Sequence, residues 1–125
     1  MIIENSSSNV NLFGDANYNG LLVGPYSANR GGRLIIKNCF SSGTMAGDWD
    51  NYNTYSGGLI GPYCGDHNGK IYIQNCYTLT NISSYSGGII GPYSADGNSD
   101  SHSFATISVE NSYSLGFPTI KINLY

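Results

Sequence analysis

The sequence predicts an all-β chain, folded as a right-handed parallel β-helix (a β-solenoid) of about three to four coils. Three observations carry the prediction. Charged residues make up only 10% of the 125 residues, against about a quarter in an average soluble domain. Asn, Ser, Gly and Tyr supply the polarity instead, with 17 Gly and 11 Tyr, a mixture suited to strands and turns and poor for helices. Two short words also alternate in order through the chain. One of them places apolar residues at every second position, the period of a half-buried strand.

The chain opens on the strand word, MIIENSS (1–7). A glycine-rich word follows, NGLLVGPYS (19–27), and the pair then recurs as LIIKNCF (34–40) with SGGLIGPYC (56–64), IYIQNCY (71–77) with SGGIIGPYS (86–94), and ISVENSY (107–113). The prolines Pro25, Pro62 and Pro92 advance by 37 and 30 residues, and Asn5, Asn38, Asn75 and Asn111 by 33, 37 and 36. Tetratricopeptide and ankyrin units have this length but are helical, and no helical periodicity is present. In the strand word Met1, Leu34, Ile71 and Ile107 are apolar, as are Ile3, Ile36, Ile73 and Val109, so both positions are expected to face inward. The glycine word reads as a short strand bounded by glycines. One domain over 1–125 is expected, with units near 1–18, 19–55, 56–85 and 86–115 and a tail strand over 116–125, where Ile120, Ile122 and Leu124 alternate. The loops Ala28–Arg33, Ser41–Thr54, Asp66–Gly69 and Ala95–Ser103 vary between units, and variable loops on a repeat scaffold are the expected contact points.

If each unit is one coil, like residues stack at about 4.8 Å and form files. Asn5, Asn38, Asn75 and Asn111 should then make an amide ladder at a turn, where Asn tolerates left-handed backbone geometry. Aromatic files are expected from Tyr18, Tyr55 and Tyr85, from Tyr26, Tyr63 and Tyr93, and from Phe40, Tyr77 and Tyr113. Cys39 and Cys76 should stack, with Ser6 and Ser112 in the outer units.

These words resemble GLUG-motif repeats, in which a GGLVG segment alternates with an IxNCYxxG segment. The resemblance runs from Met1 to about Leu115. It implies a β-solenoid scaffold of the kind found in bacterial surface and adhesin-like proteins and in proteins of large DNA viruses. The motif is a scaffold and brings no catalytic residues. The insert Ser41–Tyr55, Ser112 in place of Cys, and the tail FPTIKINLY depart from it.

Other chemistry fits less well. The glycine words lack the GxGxxG spacing and following helix of a dinucleotide site, and no Lys-Ser/Thr follows as in a P-loop. Asp96, Asn98 and Asp100 have the opening spacing of a calcium loop, but Ser101 and Ile107 stand where Gly and Glu are needed, so a turn with Asx hydrogen bonds is expected. Asp48-Trp49-Asp50 offers an acidic pair beside a ring. It is read as a solvated loop with a partner-contacting Trp, because glycoside hydrolysis needs two carboxylates flanking one bond. His67 and His102 fall in different loops, and Cys39, Cys64 and Cys76 have no metal-site spacing. Cys64 with His67 lacks an orienting third group. Thr78-Leu79-Thr80 only hints at the Thr-rich array of an ice-binding face.

The expected function is therefore a non-enzymatic structural or interaction module, a virion or cell-surface component, with no cofactor, no metal and no catalytic residue. The alternative is a carbohydrate-binding or polysaccharide-cleaving β-helix using the Tyr files and the Asp48–Asp50 loop. A net charge of −3 with basic residues spread singly gives no nucleic-acid footprint, and no stretch reaches the ~20 apolar residues of a membrane span. Because Met1 already stands in the strand frame, open strand edges are expected at the ends, to be covered by self-association with a homotrimer favoured; a protein partner or glycan is the other expected ligand. No signal-peptide pattern opens the chain, which favours an intracellular or virion-associated place, or the cell surface if the chain is a fragment.

Overall fold

The computed structural model describes residues 1–13, 18–46, 55–82, 86–95 and 104–116. Its described residues are all-β, with eight strands in two four-stranded parallel sheets. The first sheet takes β1 (Ile2–Glu4), β3 (Arg33–Lys37), β5 (Lys70–Gln74) and β7 (Thr106–Glu110) in that order. The second takes β2 (Ser7–Phe13), β4 (Phe40–Ala46), β6 (Tyr77–Asn81) and β8 (Tyr113–Ser114). In both sheets each strand pairs with its counterpart one repeat later. The register follows the alignment of the words: Leu34 lies beside Ile71, and Ile71 beside Ile107.

Alternation along the first sheet decides what is inside. In β3 and β5 every second residue is buried, so Leu34, Ile36, Ile71 and Ile73 form the core with Leu59, Ile60 and the three cysteines. The outer repeats differ. Met1 is 66% and Val109 45% exposed, against the expectation that both face inward as Leu34 and Ile36 do. Met1 stands just before β1 and Val109 lies in β7, the two strands with a neighbour on one side only among the described residues, so the side chains that would close over them are missing there.

Two expectations are corrected. The second sheet occupies residues read as the start of a loop: β4 continues to Ala46, inside the segment Ser41–Thr54. SSGTMA carries little apolar periodicity because its inward positions hold Ser41, Gly43 and Met45, and a strand that buries hydroxyls does not show the hydrophobic signal. Second, the glycine words are not strands. They contribute isolated parallel bridges, Gly20 to Gly57 to Gly87 and Val23 to Ile60 to Ile90. Backbone bonds still link them between repeats, among them Gly57 N–H to the Asn19 carbonyl (2.9 Å) and Gly61 N–H to the Val23 carbonyl (2.9 Å).

Glycine is required where these bridges close. A Cβ at Gly57 would overlap the carbonyl oxygen of Ile60, and the equivalent Cβ at Gly20 and Gly87 would strike the carbonyls of Val23 and Ile90. The obstacle is backbone, so it cannot move aside as a side chain would. Gly57→Ala should therefore lower the stability by about 3 kcal/mol or more, in the range of severe overpacking. A urea midpoint within error of wild type would contradict this close approach.

Candidate functional site

A two-residue corner joins each strand of the first sheet to its successor in the second. Its first residue is Asn5, Asn38, Asn75 or Asn111, with φ of 52°, 51°, 54° and 47°. Asn is among the few residues that adopt this left-handed geometry readily. The four side chains form one amide file: Asn38 Nδ2 donates to Asn5 Oδ1 (3.3 Å), Asn75 Nδ2 to Asn38 Oδ1 (3.2 Å) and Asn111 Nδ2 to Asn75 Oδ1 (3.3 Å). The file is exposed, so its bonds hold neighbouring corners in register without enclosing a site.

The next residue is Ser6, Cys39, Cys76 or Ser112. Each donates from its hydroxyl or thiol to the carbonyl two residues back: Ser6 to Glu4 (2.9 Å), Cys39 to Lys37 (3.1 Å), Cys76 to Gln74 (3.2 Å) and Ser112 to Glu110 (2.8 Å). Serine stands in the outer repeats and cysteine in the inner two because the same bond is made half in water or in the core, and a thiol is the less polar donor there. The third cysteine follows this logic too. Ser27 N–H donates to Cys64 Sγ (3.3 Å) and Cys64 N–H to Ser94 Oγ (3.3 Å), so Cys64 belongs to a Ser–Cys–Ser file. It is fully buried, while His67 is exposed; the pair that spacing alone suggested is separated by burial.

A hydroxyl cluster that the sequence reading overlooked lies under the glycine words. Ser41, Thr78 and Thr80 are fully buried. Ser41 Oγ donates to the Gly58 carbonyl and lies 2.9 Å from Thr78 Oγ1 and 3.4 Å from Thr80 Oγ1; Thr78 donates to Thr80 (2.7 Å), and Thr80 N–H to Thr78 (3.2 Å). A Cβ on Gly58 would strike the carbonyl oxygen of Gly88 first and would also stand 2.8 Å from Thr78 Oγ1, so backbone and hydroxyl together take the space a side chain there would need. Thr78 and Thr80 are thus interior, which removes the surface array imagined for Thr78-Leu79-Thr80. The available signal was the spacing of Ser8, Ser41, Thr78 and Ser114, which steps in time with the asparagines.

Aromatic rings make the most distinctive surface. Tyr26, Tyr63 and Tyr93 stack with centroids 5.2 Å apart and interplanar angles of 8° and 10°. Tyr18 and Tyr55 stack beside them at 5.6 Å, and Tyr18–Tyr63 (5.8 Å, 43°) and Tyr55–Tyr93 (5.6 Å, 60°) knit the two files into one five-ring wall. Phe40, Tyr77 and Tyr113 form a separate file at 5.1 and 5.5 Å. Tyr85, assigned to the file of Tyr18 and Tyr55, and Asp48, Trp49, Asp50, His102 and the Asp96–Asp100 loop lie outside the described residues.

Tyr26, Tyr63 and Tyr93 also have positive φ, 59°, 56° and 57°. Such geometry costs a non-glycine residue about 1–2 kcal/mol. Each ring pair returns about 0.5–1.5 kcal/mol, so the two pairs of the file offset about half of the strain of its three corners. Stacking also limits what the wall can bind. A sugar ring packs on an aromatic face, and both faces of Tyr63 are taken; only the end rings Tyr26 and Tyr93, 62% and 48% exposed, keep a face that no ring of the file covers. Beside Tyr93 is an open cleft of about 320 Å³ lined by Tyr55, Ser86, Gly87, Ile90, Pro92 and Tyr93. That is the low end of small-molecule sites.

Charge adds little chemistry. Burial among its neighbours, then the four surrounding phenol groups, raises the pKa of Tyr63. Burial raises Cys64 and Cys76, keeping both as thiols, the form that donates to the carbonyls above. Among the described residues no group of three His, Cys, Asp or Glu is placed to hold a metal. No family model, curated protein or solved structure matches the chain, so the likeness to GLUG-type repeats rests on the words of the sequence.

Two outcomes follow from this geometry. Asn75→Ala removes an amide that both donates and accepts and places Ala at φ 54°, and should lower stability by about 2 kcal/mol in a urea titration. Asn111→Ala, at the end of the file, should cost less. For Cys64 and Cys76 the folded pKa lies above the unfolded one, so their contribution is intact below the ordinary thiol value near pH ~8.5 and is lost as pH rises through the folded values. Stability should be level up to pH ~8 and fall above pH ~9. A Cys64→Ser/Cys76→Ser double variant should show a shallower alkaline slope in the same titrations.

Proposed function

We propose that this chain is a non-enzymatic structural and interaction module, built as a right-handed parallel β-solenoid of GLUG-like repeats. Both sheets advance by one repeat per strand and all pairs are parallel, and crossover connections between parallel strands are right-handed in about 98% of cases. The observation that carries the functional reading is where the reactive groups go. Among the described residues the three thiols, the Ser41 and Thr78 hydroxyls and the corner amides are bonded to the backbone or to the same position of the neighbouring repeat. They serve the stack. A module of this kind acts through its surface, as a component of a virion or cell surface that contacts partners through its loops and associates with copies of itself.

A glycan-binding reading has one observation in its favour, the cleft where Tyr55 and Tyr93 meet at 60°. A glycan array and a polysaccharide-hydrolysis assay separate the two. The structural reading expects neither binding nor cleavage. Micromolar glycan binding abolished by Tyr93→Ala would replace it with the second.

A further inference from the structure

Among the described residues β1 and β2 have a neighbour on one side only, and so do β7 and β8 at the other end of the stack. The corner bonds show what each end leaves open. Asn5, Asn38 and Asn75 donate their N–H groups forward, to the carbonyls of Lys37, Gln74 and Glu110 (3.1, 3.0 and 3.1 Å). Phe40, Tyr77 and Tyr113 donate theirs backward, to the carbonyls of Ser6, Cys39 and Cys76 (3.1 Å each). The corner amides also donate backward, from Asn111 to Asn75, Asn75 to Asn38 and Asn38 to Asn5. Continued by one step, Asn111 N–H faces the Glu4 carbonyl of a second copy. The Ser7 N–H of that copy faces the Ser112 carbonyl, and its Asn5 Nδ2 faces Asn111 Oδ1. Ile107 and Val109 likewise come to lie beside Met1 and Ile3, apolar on apolar. Donors meet acceptors across the whole corner.

One column breaks the match. Within the chain Glu4 lies beside Lys37 and Lys37 beside Gln74, and Gln74 Nε2 donates to Glu110 Oε2 (3.2 Å). No two like charges adjoin in that column until a second copy is added, when Glu110 lies beside Glu4. Both side chains are exposed, and they are the only charged ones in β1, β2, β7 and β8.

We infer that the two ends of the stack are complementary surfaces for a second copy of this chain, and that the Glu110–Glu4 contact holds copies apart. Charge on an edge strand is a known guard against edge-to-edge pairing. Here it leaves every pair of the column inside the chain favourable or neutral and penalises only the extension of the chain by itself. The last glycine word shares a level with β5 and β6, and the first with β1 and β2, so across the junction the glycine words lie two levels apart. The two sheets alone make the contact, which is therefore weak. A head-to-tail contact of this kind does not close, so copies released from the repulsion form rods of rising length. The inference goes beyond the self-association proposed above, and its test does not depend on it.

The test is the mass of the full chain by sedimentation equilibrium and light scattering from about 10 μM to about 500 μM, a range suited to a weak contact. Glu110→Gln, Glu4→Gln and Glu110→Lys are compared with wild type, each with a urea midpoint and far-UV circular dichroism as checks of folding. Leu79→Lys, which moves the net charge by one unit on an exposed position of a middle repeat, is the control. The two Gln variants should gain alike from opposite ends, associating about 3-fold more strongly than wild type. Glu110→Lys sets a cation beside Glu4 and should gain at least ~10-fold, its mass rising with concentration without a plateau at two or three chains. Leu79→Lys should match wild type. A folded Glu110→Lys with the mass of wild type throughout overturns the inference, and so does a wild type that already forms rods at about 10 μM. An equal gain in Leu79→Lys overturns it by assigning the effect to net charge. A gain in Glu110→Gln that Glu4→Gln lacks overturns it by placing the contact of Glu110 elsewhere.

Discussion

When two strands pair in parallel and in register, each side chain has the same position of the next repeat about 4.8 Å away. Every residue of this chain then needs to be compatible with its own kind. Charge is poorly so, since like charges opposite one another repel: one strand position alternates or lapses, Glu4, Lys37, Gln74, Glu110, and at another, where Arg33 lies beside Lys70, the Arg33 guanidinium sits over the ring of Tyr72. Amides, hydroxyls, thiols and flat rings tolerate it, because each can both give to and take from a copy of itself or lie face to face with one. The low charge and the abundance of Asn, Ser and Tyr are consequences of that constraint.

The same constraint explains why polar groups can fill the interior. A buried hydroxyl without a partner costs about 1–3 kcal/mol, yet Ser41, Thr78 and Thr80 are fully buried. They bond one another and the Gly58 carbonyl, which only a glycine brings close enough. Hydroxyl strand and glycine word are therefore one device. Cysteine and serine share a second, in which the donor after the asparagine reaches a carbonyl two residues back, and the choice between them follows depth in the stack. The tyrosine corners are a third, where ring stacking offsets part of the backbone strain. In all three, groups that look reactive in isolation are occupied by structure.

The strand word, its register and the asparagine corner were legible in the residues, because they combine an apolar period of two with a residue suited to positive φ. So were the stacked partners of Tyr26, Tyr63 and Tyr93, since files follow from any in-register repeat. The second sheet was not. Its inward residues are Ser, Gly and Thr, and hydrophobic periodicity cannot mark a strand whose buried face is made of hydroxyls. The glycine word misled in the opposite sense: Leu59 and Ile60 are adjacent and both fully buried, which reads as a strand, but the chain bends there and only single bridges form.

By itself the sequence determined that like would lie beside like, because two words recurring in order leave few other ways to bury their apolar positions. It also determined which residues would meet. For the second sheet and the glycine words, only the tertiary structure decided which of those meetings are inside and which outside. Facing direction depends on how the corners turn the chain between two sheets, and corner geometry places Thr78 in the core while its neighbour Leu79 is 47% exposed. From that turn come the buried hydroxyls, the ring faces closed to a sugar, and an outer sheet without charge.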